Sequence, residues 1–345
     1  MATTLIYECD KAWDECYLHY SDGAVWTSAP GKRMKKCRVG IGFEYSDLPV
    51  RAEFVLNDGK RDWDNNQGKN YHTSQRGTWA LAREHLKIVE GEPFLLVTDL
   101  DGTYVLDDKS MHELNRVWLT ACYGRGCELV FSTGRSLSSF KELTQTRPLM
   151  RPDYIVAAVG TEVYKSLHAK NDYELDEEWR RIVGVGWDRK AVEAMTQRVV
   201  GLKLQPASEQ RDYKISFMAD AALVAQLKTD LERARESLHL KVMFIWSGSG
   251  KSRFVDCVPL GGGKYHALQF LRKKMNFAES RTIVAGDSGN DIGLFQGEEY
   301  GVAVGNSQQE LLDCLKDLNQ RERHHLAIQK GPTGILEGLG HFGFL

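Results

Sequence analysis

PFLLVTDLDGT, residues 93–103, is an apolar run that ends abruptly in two carboxylates and a glycine turn. An unbroken apolar run of this length fits a strand buried on both faces, the kind found in parallel sheets. Downstream, MHELNRVWLTACYGRG reads as a helix, CELVFSTG as a strand and SLSSFKELTQ as a helix, an alternation that predicts a parallel sheet with crossover helices. After Gly263 the alternation resumes: KYHALQFLRKKM is a helix, RTIVAGD a strand, NDIGLFQG a short helix, YGVAVG a strand and QQELLDCLKDL a helix. Between the two stretches lie YIVAAVG, EEWRRIV, a helix near 188–201, the strand YKISFMA, a helix at about 221–238, and the strands KVMFIWS and RFVDCVP. The expected architecture is an α/β, doubly wound core of residues 93–154 and 262–345, split by an inserted α+β cap of residues 155–261.

Groups at the carboxyl ends of parallel strands face the ligand crevice, so Asp99 and Asp101 can both point at a substrate. One carboxylate can attack phosphorus while its neighbour protonates the leaving oxygen and then activates water. The next strand ends at Thr133, Gly134 and Arg135, where a hydroxyl and a turn amide suit a phosphate oxygen. Lys264 follows a glycine turn and offers a fixed cation. A further strand ends in GDSGND, residues 286–291, where Asp287 and Asp291 can reach one hard cation such as magnesium. As an alternative, Asp291 simply caps the next helix.

DLDGT, TGR, the lysine after GGG, and GDSGND, in this order at strand ends, resemble the four motifs of the haloacid dehalogenase superfamily of phosphohydrolases. The resemblance implies that Asp99 is the nucleophile, passing through a phosphoaspartyl intermediate, and Asp101 the general acid and base. It implies that Thr133, Gly134, Lys264 and Asn290 hold the phosphoryl group, and that Asp99, the Asp101 carbonyl and Asp287 hold Mg2+ with Asp291 in support. GTEVY, WDRKAV, LQPASEQRDYKISF, GNSQQELL and GPTGILEGLGHFGF are similar to the sucrose-phosphate phosphatase family, which also carries its cap between the second and third motifs. Tyr265 departs from that family, which usually has glycine after the lysine. Glu162, Asp188, Arg189 and Lys214 are the polar cap candidates for sugar hydroxyls, with surface salt links as the alternative.

Residues 1–78 break into short alternating segments separated by SDG, SAPGK and NDGK, the pattern of a small all-β unit, followed by an expected connector helix over 79–92. Trp13, Tyr17, Tyr20, Trp26, Trp63 and Tyr71 exceed what so small a unit must bury, so some rings should be exposed for stacking on sugar faces. CYLHYSDGAVWTSAPGKRM and AEFVLNDGKRDWDNNQGKNYH resemble a β-sandwich, starch-binding carbohydrate-binding module of the family 25/53 type. The resemblance implies an α-glucan platform of His19, Trp26 and Trp63, with Asn66 as a hydroxyl ligand.

The 345 residues carry 42% hydrophobic and 27% charged side chains, which excludes a disordered or fibrous chain. A net charge of -2 provides no global field for nucleic acid or an anionic membrane. Seven cysteines without a CxxC pair suit free thiols in a reducing compartment. No basic-then-apolar leader and no membrane-length apolar run is present, so a soluble protein of cytosol or plastid stroma is expected. SGSGKS at 247–252 reads as a hairpin turn, since the phosphate-loop spacing requires glycine where Ile245 stands. His324 and His325 read as a solvated helix face. The expected activity is hydrolysis of a sugar phosphate by an enzyme tethered to starch or a related glucan. The alternatives are a phosphorylated glucan or another hexose phosphate as substrate, a phosphomutase, and a catalytically silent glucan-binding scaffold.

Overall fold

The computed structural model describes residues 3–248, 250–318, 320 and 322–345. The amino-terminal module contains β1 (Thr3–Glu8), β2 (Tyr17–Ser21), β3 (Lys32–Arg33), β4 (Lys35–Lys36), β5 (Phe43–Leu48), β6 (Glu53–Asn57), β7 (Trp63–Asp64), β8 (Tyr71–His72), β9 (Thr78–Ala82) and β10 (His85–Ile88). One sheet has the order β10-β9-β1-β5-β4 and the other β3-β2-β6-β7, with β8 also paired to β6. Leu5, Tyr7, Leu18, Phe43, Phe54, Leu56 and Leu81 fill the space between them. This is a β-sandwich, as the short alternating segments require.

In chain order the α/β core then forms β11 (Leu95–Thr98), α1 (Asp108–Val117), a π-helical turn (Trp118–Cys122), β12 (Glu128–Ser132), α2 (Leu137–Thr146), β13 (Tyr154–Ala157), β14 (Glu162–Leu167), β15 (Asp172–Leu175) and α3 (Glu177–Val183). The cap follows as α4 (Arg189–Thr196), β16 (Lys203–Leu204), β17 (Ile215–Asp220), α5 (Val224–Ser237), β18 (Val242–Ser247) and β19 (Ser252–Pro259). The core closes with α6 (Gly263–Lys274), β20 (Thr282–Gly286), a 3-10 turn (Gly289–Phe295), β21 (Tyr300–Ala303), α7 (Gln309–Leu318), β22 (His324–Leu326) and α8 (Gly331–His341). The core sheet has the order β15-β14-β13-β12-β11-β20-β21-β22; β13, β12, β11, β20, β21 and β22 are parallel, and β14 and β15 add an antiparallel edge. Phe94 and Leu96 pack under one helical layer, Leu95 and Val97 under the other, which is why every position of FLLV is apolar. The cap is a separate sheet, β16-β17-β19-β18, with α4 and α5 on one face over Val192, Met195, Leu227 and Leu231.

Three expectations are corrected. Residues 79–92 form no helix: β9 runs parallel to β1 and turns back into β10 at Arg83 and Glu84, both with positive φ. Trp79 and Leu81 pack inside the sandwich while Ala80 and Ala82 are buried on its other face. Burial of both faces blurs the period-2 signal and mimics a helical stripe. The module sheet therefore reaches Ile88 instead of ending at 78. Residues 155–175 belong to the core sheet instead of the cap, and α3 also packs on the core through Trp179 and Val183, because the antiparallel hairpin of β14 and β15 extends the parallel sheet. The His324–His325 pair lies on strand β22 instead of a helix, with His324 buried. SGSGKS does join the antiparallel strands β18 and β19, although Ser249 lies outside the described residues.

The module is not a separate bead. Its Ile6, Cys37 and Val39 share one apolar cluster with Phe94, Trp118, Leu119 and Cys122 of the core. Leu119→Ala, at a fully buried position in this shared cluster, is expected to cost about 2–5 kcal/mol, read as a lower denaturant midpoint.

Candidate active site

The apolar strands β11, β12 and β20 end together, and each delivers a polar residue at its carboxyl end. The ladder continues one residue past the strands: the Asp99 amide donates to the Ala285 carbonyl at 2.9 Å and the Thr133 amide to the Val156 carbonyl at 2.8 Å. Asp99, Thr133 and Asp287 are thereby fixed side by side and buried. Lys264 enters from the start of α6. The loop after β13 lies against this start so closely that a Cβ on Gly160, at φ 95°, would stand 2.4 Å from the Gly263 carbonyl oxygen.

Lys264 Nζ donates to Asp99 Oδ1 at 2.7 Å, to Asp291 Oδ1 at 2.6 Å and to the Ser132 carbonyl at 2.9 Å. Burial alone would lower its pKa, but the Asp291 and Asp99 carboxylates outweigh burial and hold the ammonium charged. Asp291 is fully engaged: Oδ1 takes Lys264, and Oδ2 accepts from the amides of Asp287 and Ser288, both at 3.0 Å. It caps the 3-10 turn, the bland alternative, and also orients the lysine. Asn290 Oδ1 lies 3.5 Å from the same ammonium, and Asn290 Nδ2 would lie 3.7 Å from a Cβ built on Gly134, so the two phosphate candidates face each other.

Asp99, Asp287 and Asp291 each offer a carboxylate oxygen within 4.8 Å of the others. Three carboxylates thus cluster beside the single ammonium of Lys264, which pairs with Asp99 and Asp291. Burial and the nearby Asp291 charge push the Asp99 carboxyl well above its usual range, and burial with Asp291 pushes Asp287 up to about 7. Thr103 Oγ1 donates to Asp287 at 3.1 Å. A surplus of buried anionic oxygen is what a small hard cation offsets, so the donor set suits magnesium.

Asp101 stands apart from this cluster. It is half exposed, and Arg135 grips it with Nε and Nη2, both at 2.7 Å, while Nη1 donates to Ser139 Oγ on α2. Arg135, Ser132 and Thr103 are site residues to which the sequence reading gave no role. The arginine of TGR was visible as a motif letter, but its partner is set only by the fold.

The cap candidates divide. Lys214 is buried with Asp256 at 3.2 Å and Ser216 at 2.5 Å, forming a polar cluster in the cap sheet. Asp188 is spent capping α4 through the Ala191 amide, and Arg189 binds Glu193 and the Arg211 and Lys214 carbonyls. Glu162 lies on core strand β14, accepting from Tyr164 and standing 3.8 Å from Arg211. Glu162, Arg189 and Lys214 all reach the Arg211–Lys214 turn, Glu162 through the Arg211 side chain and Arg189 through the two carbonyls, while the Lys214 ammonium turns to Asp256 and Ser216. A cavity of about 250 Å³ lies between β18 and the core, walled by Met243, Ile245 and Trp246 on one side and Lys264, Tyr265 and Asn290 on the other.

On the module, the His19 ring lies 5.0 Å from Trp26 and 5.9 Å from Trp63, and Trp63 is 40% exposed. The WDNN string explains how. Asp64 faces inward and accepts from Tyr7 and Tyr71 hydroxyls at 2.9 and 2.7 Å, which turns Trp63 to the opposite, outer side. Asn65 accepts from the Gly68 amide, and Asn66 donates to the Asn70 carbonyl, so Asn66 builds the loop beside the platform.

The sequence pattern of the sucrose-6F-phosphate phosphohydrolase family matches residues 92–343. The chain belongs to the sucrose-6F-phosphate phosphohydrolase family. Within this family, a probable sucrose-phosphatase 1 of Arabidopsis thaliana is 36% identical over 72% of this chain; the chain spans 59% of that relative's length. The solved sucrose-phosphatase of Synechocystis, in complex with sucrose and phosphate, is 35% identical with a TM-score of 0.65, covering 73% of this chain and 99% of that one. A carbohydrate-binding module of a Bacillus halodurans amylase, in complex with maltotetraose, is 24% identical over 27% of this chain and 100% of its own, with a TM-score of 0.24.

The Asp287 carboxyl moves from 3.8 to about 7 on folding, so the folded state holds this proton more tightly than the unfolded chain. Its contribution to stability is complete below about pH 4 and is lost as pH rises through about 7. In chelator-treated protein, Asp287→Asn is expected to remove this loss. Melting curves of both proteins across that window, with the difference growing toward high pH, provide the check.

Proposed function

We propose that this chain is a magnesium-dependent phosphoric monoester hydrolase that takes a small sugar phosphate, sucrose 6-phosphate foremost, and is held on starch or a related α-glucan by its amino-terminal module. The observation that carries the reading is the buried Asp99, flanked by the Lys264 ammonium and the Asp287 carboxylate at the ends of adjacent parallel strands. Family membership and the sucrose and phosphate in the related Synechocystis structure support the substrate class.

Asp99 attacks phosphorus, and the ester oxygen leaves with a proton from Asp101. Asp101 then takes a proton from water, which attacks the aspartyl phosphate, frees inorganic phosphate and regenerates Asp99. Lys264, Thr133, Asn290 and the Gly134 turn hold the phosphoryl oxygens in line and offset their charge. Before Asp101 can reach the ester oxygen it must leave its two hydrogen bonds with Arg135. Asp99, Asp287 and the Asp101 carbonyl would hold magnesium, with Asp291 in support, and the ion would supply positive charge to the phosphoryl group. Asp291 acts from behind, by fixing Lys264 and the Asp287 and Ser288 amides. Sugar contacts are to be sought at the cavity beside Tyr265, next to the phosphate-holding residues, and at the Arg211–Lys214 turn where Glu162, Arg189 and Lys214 meet beside Asp188.

His19, Trp26 and Trp63 present flat rings at one outer face, suited to the apolar faces of glucose units. The seven cysteines are all free thiols, which fits a reducing compartment, cytosol or plastid stroma. Among the described residues, no helix is long and apolar enough to cross a membrane.

Phosphate release from sucrose 6-phosphate, hexose phosphates and phosphorylated amylopectin tests the enzyme. Release from sucrose 6-phosphate should require magnesium, stop with chelator and fall more than about 10⁴-fold in Asp99→Asn. Absence of release from every ester would leave only a glucan-binding scaffold. Trp63→Ala should weaken retention on granular starch by about tenfold or more, measured as the fraction pelleted.

A further inference from the structure

The glucan platform and the catalytic centre face away from each other. On β2, Leu18 points into the sandwich, so His19 points out of the far sheet, away from β1 and β9. On β1, Leu5 and Tyr7 point into the sandwich while Ile6 points the other way, into the apolar cluster of the catalytic core. The platform is therefore on the outermost surface of the module, and the core is joined to the opposite surface.

The join is also at the wrong end of the core for substrate delivery. Arg38 of the module pairs with Glu128 at 3.1 Å and with Asp153, and donates to the Cys127 carbonyl at 3.0 Å. The Arg151 amide donates to the Val39 carbonyl at 2.8 Å, and His168 Nδ1 lies 3.1 Å from the Arg38 carbonyl. Glu128 opens β12, Asp153 precedes β13 and His168 follows the antiparallel β14, so all mark the end of the sheet opposite Asp99, Thr133 and Asp287. Sheet layers stack about 10 Å apart and strands rise about 3.3 Å per residue, which puts roughly 30 Å between platform and nucleophile. The contact is close: a Cβ on Gly42 would stand 2.4 Å from Leu119 Cδ2, so module backbone touches core side chain directly.

We propose that the α-glucan gripped by the module is a support and not the molecule that is dephosphorylated, so that the adsorbed enzyme turns over a small soluble sugar phosphate as fast as the free enzyme. This rests on the phosphatase and glucan-binding readings above. It assigns the platform a polymer surface as partner and leaves the catalytic mouth open to solution while the platform is occupied.

The test uses the full chain with granular starch. Enzyme is pelleted with the granules, washed, and assayed with sucrose 6-phosphate beside the same amount of free enzyme; soluble maltotetraose is added to a third sample. The expected result is kcat/KM equal within about twofold in all three, with no added preference for phosphorylated amylopectin over sucrose 6-phosphate. A change of about tenfold or more on adsorption, or a phosphoglucan rate that falls in step with starch binding in Trp63→Ala, would overturn it. Failure to pellet overturns the glucan reading and this proposal with it. Absence of phosphate release from free enzyme overturns the phosphatase reading instead, so the failures are distinguishable.

Discussion

A single ammonium group, Lys264 Nζ, lies buried between Asp99 and Asp291, and the catalytic end of the core is organised around that contact. Removing the lysine would leave buried carboxylates without compensation, a far larger penalty than an exposed ion pair commands. The lysine also ties α6, which follows the cap, to the end of β11, which precedes it, across a sequence separation of 165. The return of the chain from the cap and the assembly of the charged centre are therefore one event. Asp291 stabilises this arrangement twice, as the partner of the lysine and as the acceptor that shapes the turn carrying Asp287.

The remaining charge imbalance is equally informative. Asp99 and Asp287 are both driven toward the protonated form by burial and by the Asp291 charge, although the nucleophile proposed at Asp99 must be ionised. Folding alone does not make this centre electrically comfortable. The protein carries a local excess of anionic oxygen, which suits the cation proposed above.

Much of this could be read from the chain because it is written in short strings. A strand end, a turn glycine and a carboxylate two residues on are local facts, so DLDGT and GDSGND point to the same crevice before any coordinate is known. WDNN is similarly local: alternation sends Trp63 out as Asp64 goes in. What was hidden depends on contacts distant in sequence. Trp79 to Ile88 looks helical because β9 is buried on both faces, one by the sandwich and the other by a domain that begins later in the chain. The cap boundary was misplaced because β14 and β15 are antiparallel strands added to a parallel sheet, and strand direction leaves no mark on composition. Asp188 and Arg189 have the chemistry of sugar ligands, yet one caps a helix and the other is taken up by carbonyls.

The outer face of the module's first sheet is apolar where most small binding domains present a wettable surface. Ile6, Val39, Ala80 and Ala82 are covered in the intact chain. Excised, they would form an exposed greasy patch beside an open sheet edge, the combination that invites aggregation. This sandwich is consequently a poor candidate for a transferable affinity tag. A substitution on either side of the joint also constrains which side chains the other side can accept.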